Sequence, residues 1–292
     1  MKLPPLRKAV FRLIKTALSA VGVLALTGFM PVVKMEAAET QHILLQSTTS
    51  TLNSGLYDVL LPAFTKTSGI EVRVVAVGSG QALRNAANCD GDLVLAHAPE
   101  DEKAFMEKGF GARRLAVMQN RFVLLGPADD PAKIKDAANV SAALRTISRS
   151  GARFLSRGDD SGTHTRERLL WEKANIDLTT ASGSWYLEAG QGMGASINLA
   201  VQLEAYLLSD ISTWLAFSNK AGHRLLFEDT NDSLLNHYSV LTVNPAHCPF
   251  VNHEGANRFA DWLTSPEGQQ RIAAFTLDDQ QMFTPANNSS AK

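Results

Sequence analysis

The stretch Ile43-Leu44-Leu45-Gln46-Ser47-Thr48-Thr49-Ser50-Thr51 begins apolar and ends in five consecutive hydroxyl residues. Ile43–Leu45 reads as a short buried strand. The hydroxyl run follows it and leads into Gly55–Thr67, where apolar residues recur at helical spacing although Pro62 limits the regularity. The same strand–turn–helix unit recurs along the chain. Val72–Val77 is strand-like, and Gly78-Ser79-Gly80 opens a helix through Ala87. Leu93–Ala96 is a buried strand, Glu100–Lys108 a helix closed by Gly109, and Phe122–Leu125 the next strand. Beyond Gly126-Pro127 the pattern restarts. Helices are expected over Val140–Ser150, Ser161–Ala174, Ala195–Leu203 and Ile211–Ala216, with strands at Phe154–Leu155, Trp185–Leu187, Tyr206–Leu208 and Ser239–Val243. Gly255–Leu263 and Pro266–Phe275 form a closing helical pair.

Repeated strand–helix units predict an α/β fold of mainly parallel sheets flanked by helices. The restart divides it into two lobes, residues 39–123 with 242–292 and residues 124–241, joined by two crossings. Ligands of α/β sheets sit beyond the carboxyl ends of strands and at domain interfaces. The loops after Leu45, Val77, Leu155 and Leu187 are therefore the candidate walls of a cleft between the lobes.

The first fifteen residues carry Lys2, Arg7, Lys8, Arg12 and Lys15 and no acid, and a mostly apolar run follows from Thr16 to Met30. This order, ending in small residues, predicts a secretory signal peptide over 1–38, cleaved near Ala38. The run is short for a membrane span of about 20 residues. It ends without a cysteine, so a lipid anchor is not expected, and the expected compartment is the periplasm. The full chain has a net charge of −1, but residues 1–38 contribute +5, so the mature part carries −6. An acidic chain is a poor nucleic-acid binder. If it captures an anion it must do so with local dipoles and placed cations. The two cysteines, Cys89 and Cys248, lie in a compartment where they could pair, and the sequence leaves open whether they meet. The polar tail Asn287–Lys292 is expected to be disordered.

Four segments carry chemistry. One helix cap needs one hydroxyl, whereas Ser47–Thr51 offers five beside a helix N-terminus, where free N–H groups and a partial positive charge favour anions. Gly78-Ser79-Gly80 could bring backbone amides close to a ligand but reads equally as an ordinary tight turn. It is not followed by the Gly-Lys-Ser/Thr of a phosphate-binding loop. Ser156-Arg157-Gly158-Asp159-Asp160-Ser161-Gly162-Thr163-His164 combines a forked, permanently charged donor with hydroxyls and amides at a helix start. Asp159 and Asp160 would repel a dianion, so at least one is expected to cap the helix or orient Arg157. Glu188-Ala189-Gly190-Gln191-Gly192-Met193-Gly194 is a further amide-rich turn.

Taken together, these segments resemble the tungstate-binding components of ABC importers, a branch of the type II periplasmic binding proteins. The likeness runs over about residues 43–285 and rests on Ser47–Asp58, Val77–Leu83, His97–Pro99, Ser156–His164, Tyr186–Gly194 and Asp261–Gly268. It implies a two-lobed, hinged monomer that closes on one oxyanion, tungstate or molybdate, and delivers it to a permease and its ATPase. It implies no catalysis, no cofactor, no bare metal cation, and membrane contact only through the permease. It places ligand contacts at Thr48, Thr49, Ser50, Arg157, Ser161 and Gly194. The sequence departs from the family at Gln46-Ser47, where a longer Thr run is usual, and over Leu207–Leu215, which lacks the usual Arg/Gly pattern.

Two other readings stay open. A phosphate receptor would gain from a carboxylate able to accept the ligand's proton, which Asp159 or Asp160 could supply. A secreted hydrolase could use Ser161 and His164, although no Gly-x-Ser-x-Gly elbow surrounds Ser161 and no acid is evident to orient His164.

Overall fold

The computed structural model describes residues 41–229 and 232–286. The expected signal segment 1–38 and the tail Asn287–Lys292 lie outside the described residues. The chain alternates strands and helices: β1 (His42–Thr48), α1 (Thr49–Asn53), α2 (Leu56–Ser68), β2 (Glu71–Val77), α3 (Ser79–Ala87), β3 (Leu93–Ala96), α4 (Pro99–Glu107) and β4 (Gly111–Pro127). It continues with α5 (Val140–Ser150), β5 (Phe154–Ser156), α6 (Gly162–Lys173), β6 (Tyr186–Glu188), α7 (Met193–Leu203), β7 (Leu207–Asp210), α8 (Ile211–Ala216) and β8 (His223–Phe227). A 3-10 turn at Asp232–Leu234 precedes β9 (Leu235–Val243), followed by α9 (His253–Thr264), α10 (Pro266–Ala273) and the short β10 (Thr276–Leu277), β11 (Gln280–Gln281) and β12 (Thr284–Pro285). No helix among the described residues is long and apolar enough to cross a membrane.

The α/β class holds, and the pairing is mixed. The strands β2, β1 and β3 are parallel, as are β5 and β6. In contrast, β9 runs antiparallel to both β3 and β4, and β4 runs antiparallel to β7 and β8. The expectation of mainly parallel sheets missed the reach of β4 and β9. Ala112–Gln119 holds two arginines and no clean apolar alternation, yet it forms the first half of a 17-residue strand whose outer positions face solvent. Antiparallel partners need no helical crossover between them. The strand β8 was not anticipated at all.

The described residues cluster as one compact unit, and the apolar cores within it fall into groups on either side of the sheets. Strand side chains alternate between faces. Leu93 and Leu95 join Ile43, Leu45, Leu60, Phe64 and Phe259 on one face, while Val94 and Ala96 join Ala82, Leu83, Phe105 and Leu241 on the other. Further along the chain, Phe122 and Leu124 pack with Phe154, Trp171 and Tyr206, and Val123 and Leu125 pack with Leu155, Ile197 and Trp214. Each fully buried Leu or Phe contributes about 1.5–3 kcal/mol, so both faces of both groups are held firmly enough to fix the loops at the strand ends.

The two cysteines do meet. The antiparallel register of β3 on β9 sets Leu93 opposite Thr242, which brings the turn after α3 beside the loop before α9. Cys89 and Cys248 are disulfide-bonded there with a Cα–Cα distance of 5.5 Å.

Candidate oxyanion site

The hydroxyl run is less of a loop than its composition suggests. Ser47 and Thr48 are the last residues of β1, and Thr49 starts α1. Thr48 caps α1, its Oγ1 accepting from the Thr51 amide at 3.3 Å and bonding to Thr51 Oγ1 at 2.7 Å and Ser50 Oγ at 3.1 Å. Ser47 turns inward to the Tyr57 hydroxyl and the Leu95 carbonyl. Ser50 Oγ lies 3.2 Å from His97 Nε2, at the end of β3. Thr49 is half-buried, and a Cβ built on Gly192 would fall 3.7 Å from its Oγ1.

The second loop follows β5. Arg157 is 3% exposed, and its Nη2 donates to Asp159 Oδ2 at 2.5 Å. Asp159 Oδ1 accepts from the Ser161 amide at 3.3 Å, so this carboxylate orients the guanidinium and the turn together. Ser161 itself caps α6, its Oγ accepting from the His164 amide. Asp160 is exposed, in the left-handed region at φ 53°, and its amide donates to His164 Nδ1. The turn requires glycine at 158, where φ is 60° and a Cβ would lie 2.9 Å from Glu188 Cβ. Below the turn, Glu167 is buried and accepts from Tyr186 Oη at 2.8 Å and Trp171 Nε1 at 3.1 Å. Burial pushes its carboxyl up to about 7, against hydrogen bonds from Ser156, Tyr186 and Trp171.

These loops converge. A Cβ on Gly162 would lie 2.8 Å from the His97 carbonyl oxygen, 3.0 Å from Ser79 Oγ and 3.1 Å from His97 Nδ1. One on Gly78 would lie 3.6 Å from Ser161 Cα. The chain at 161–162 therefore sits directly on the ends of β2 and β3. The third loop packs on the second, Gln191 N–H donating to the Arg157 carbonyl and Ala189 N–H to that of Ser156. Of the six residues named from the sequence, Thr48, Thr49, Ser50, Arg157 and Ser161 stand at these converging strand ends. Gly194 is the second residue of α7, and a Cβ there would meet Phe217 at 3.7 Å rather than any of the other five.

Three residues outside that set stand out by burial. Ser79 Oγ, His97 Nδ1 and Thr163 Oγ1 are buried without a hydrogen-bond partner, and so is Arg157 Nε. An unpaired buried polar group costs about 1–3 kcal/mol and calls for an explanation; two of these atoms, Ser79 Oγ and His97 Nδ1, lie together against Gly162. Ser79 and Thr163 were legible in part, since each lies in a turn already singled out. His97 follows a buried strand, as Arg157 does, which was the available signal. Burial holds its imidazole down at about 4, with Asp210 opposing and Arg157 reinforcing the shift.

The PBP superfamily domain matches residues 35–267. The chain is 42% identical over 258 residues to the tungstate-binding protein TupA of Peptoclostridium acidaminophilum, covering 86% of this chain and 88% of that one. Among solved structures it aligns with the tungstate-binding protein TupA from Desulfovibrio alaskensis G20 at 43% identity and a TM-score of 0.72, over 84% of this chain and 98% of that one. The tungstate ABC transporter structure from Geobacter sulfurreducens gives 43% identity and a TM-score of 0.74, over 80% and 98%. The chain belongs to the TupA family. Within this TupA-family chain, Ser161 Oγ bonds a backbone amide and His164 Nδ1 accepts one, so the two side chains form no nucleophile–base pair.

Proposed function

We propose that the mature chain, beginning near residue 39 after export, is a periplasmic receptor that closes on one tungstate ion and delivers it to an ABC importer. The observation that carries this reading is the set of buried, unpaired polar atoms, Ser79 Oγ, Arg157 Nε and Thr163 Oγ1, at converging helix starts. Hydroxyls and a guanidinium can all donate to oxygen, and the guanidinium adds charge that a dianion needs in a chain of net charge −6 after processing. Thr48, Thr49, Ser50, Arg157, Ser161 and Gly194 are the proposed contacts, with Ser79 and Thr163 added. Residues 39–123 with 242–292 and residues 124–241 act as the two lobes, and β4, continuous from Gly111 to Pro127, spans the first crossing. The receptor works as a monomer and needs no cofactor.

Asp159 spends one oxygen on Arg157 and the other on the Ser161 amide, and the Asp160 side chain is 86% exposed. Asp159 is engaged by Arg157 and the turn, which favours a fully ionised anion over phosphate. Molybdate shares tungstate's charge and shape and is expected to bind as well. Isothermal titration of the dialysed mature protein tests the reading. Tungstate is expected to bind one-to-one, at least about a hundredfold tighter than phosphate or sulfate, a gap of roughly 2.7 kcal/mol. Tight phosphate binding with no heat from tungstate overturns it.

A further inference from the structure

His97 belongs to a segment that carries the family resemblance but is not among the six residues to which that resemblance assigns ligand contacts, and separate contacts meet on it. Its Nε2 is 3.2 Å from Ser50 Oγ. Its carbonyl oxygen and Nδ1, together with Ser79 Oγ, form the wall on which Gly162 is seated, with room for no side chain. Its ring packs on Tyr238 with centroids 4.8 Å apart. Tyr238 Oη accepts from Asn236, which also donates to Asn120 Oδ1 at 2.9 Å, and Asn120 donates to Ser212 Oγ at 3.1 Å. A single side chain thus touches the hydroxyl run, the start of α6, and a buried polar chain that links β9 to β4 and α8.

Ser50 needs such a partner. Its hydroxyl rotates freely unless something fixes it, and Thr48 Oγ1 at 3.1 Å competes for it. A neutral imidazole holds Ser50 Oγ in place whether it donates or accepts. Tyr238 and Gly162 pack on the ring, and Asn236 hydrogen-bonds to it. The groups facing His97 include Arg157 and Asp210, of opposite charge, and the ring is buried and neutral between them.

On the oxyanion reading above, we propose that His97 is a positioning residue that aims the Ser50 hydroxyl at the bound oxyanion, and that seating Gly162 against it makes this aim depend on closure of the site. The ligand would then meet a weaker hydroxyl set in an open protein than in a closed one. Selectivity for an ion that holds the site shut follows from that difference.

A double-mutant cycle on the full mature chain tests this, with sodium tungstate titrated calorimetrically and ligand-free melts recorded for every variant. His97→Leu is expected to weaken binding about tenfold, the scale of one lost hydrogen bond to a charged group. His97→Gln, which restores a polar partner, should return to within about threefold. Ser50→Ala should cost about as much as His97→Leu, and the double variant little more than either alone, because the two act as one unit. Gly162→Ala should weaken binding and leave His97→Leu with little further effect. If Gly162→Ala shows no cooperative melt, the His97 and Ser50 cycle alone decides. Binding by His97→Leu within twofold of the parent overturns the proposal. So does a glutamine variant as weak as the leucine one, or losses that multiply in the double variant. A parent that binds no tungstate at all refutes the receptor reading itself, a result distinct from these.

Discussion

The loop after β1 and the loop after β5 do the same job with different chemistry. Ser47–Thr51 carries no charge and is largely bonded to itself, Thr48 to Ser50 and Thr51, and Ser47 to Tyr57. Ser156–His164 carries a guanidinium held by a carboxylate, with Arg157 Nε and Thr163 Oγ1 buried and unpaired. The neutral loop is finished without a ligand, whereas the charged loop is not. Capture of a dianion is therefore unequal. The second loop supplies the attraction, and the first supplies fixed donors that become useful once the two are together. The frames differ too. The first loop stands on a region stapled by the Cys89–Cys248 disulfide, and the second stands on the buried Glu167, Trp171 and Tyr186 cluster.

The sharpest way to break this contrast is Arg157→Ala. Hydrogen bonds to charged groups are worth about 1.5–3 kcal/mol each, so losing two should lower tungstate affinity by about a hundredfold or more. Arg157→Lys should recover part of it, because lysine keeps the charge and lacks the planar fork. Calorimetry with a matched ligand-free melt reads both quantities. A large fall in melting temperature with affinity kept within twofold would assign Arg157 to holding the turn with Asp159, and the two loops would then be alike.

Next in size is the frame of the first loop. The disulfide closes a sequence separation of 159 residues. Replacing both cysteines by serine should cost about 2–5 kcal/mol of stability. Chemical denaturation measures that loss, while tungstate affinity at 25 °C should stay within about threefold. An affinity that collapses along with stability would mean that the first loop has no geometry of its own.

The frame of the second loop should respond to pH. Glu167 titrates near 7 in the folded chain against 4.5 for the free side chain. A carboxyl with a raised folded pKa favours the folded state fully below about pH 4.5, and that contribution is lost as pH rises towards 7. The loss amounts to roughly 3 kcal/mol at about 1.4 kcal/mol per unit. His97, lowered to about 4, acts in the opposite sense below pH 6.5, so the comparison must be with a variant at each pH. Glu167→Gln keeps an oxygen for Tyr186 and Trp171. It should match the parent near pH 4.5 and exceed it at pH 8. Parallel stability curves for the two proteins would remove Glu167 from the account.

What the sequence made legible follows from how local each signal is. Leu93–Ala96 and Val140–Ser150 have the bounds expected for them, because a buried apolar run and an Asn139 cap with a Gly151 stop are written in consecutive residues. The turn at 156–164 was recognisable by residue type, and charge implied that Asp159 or Asp160 would cap the helix or orient Arg157; the contacts single out Asp159. The first half of β4 was not legible. Arg113 and Arg114 obscure its alternation, and the strand exists because β9 pairs along it. The disulfide, the seat of Gly162 on His97 and the burial of Ser79 and Thr163 all depend on contacts between distant segments. Gly194 was named through the family resemblance alone; it is the second residue of α7, where a Cβ would lie 3.7 Å from Phe217.

The most direct test of the central claim is a tungsten anomalous difference map from crystals of the mature protein grown with sodium tungstate. One strong peak is expected, with its oxygens within hydrogen-bond reach, about 2.7–3.2 Å, of Ser50, Ser79, Arg157 and Thr163. A peak bound elsewhere, with Arg157 Nε still unpaired, would contradict the account.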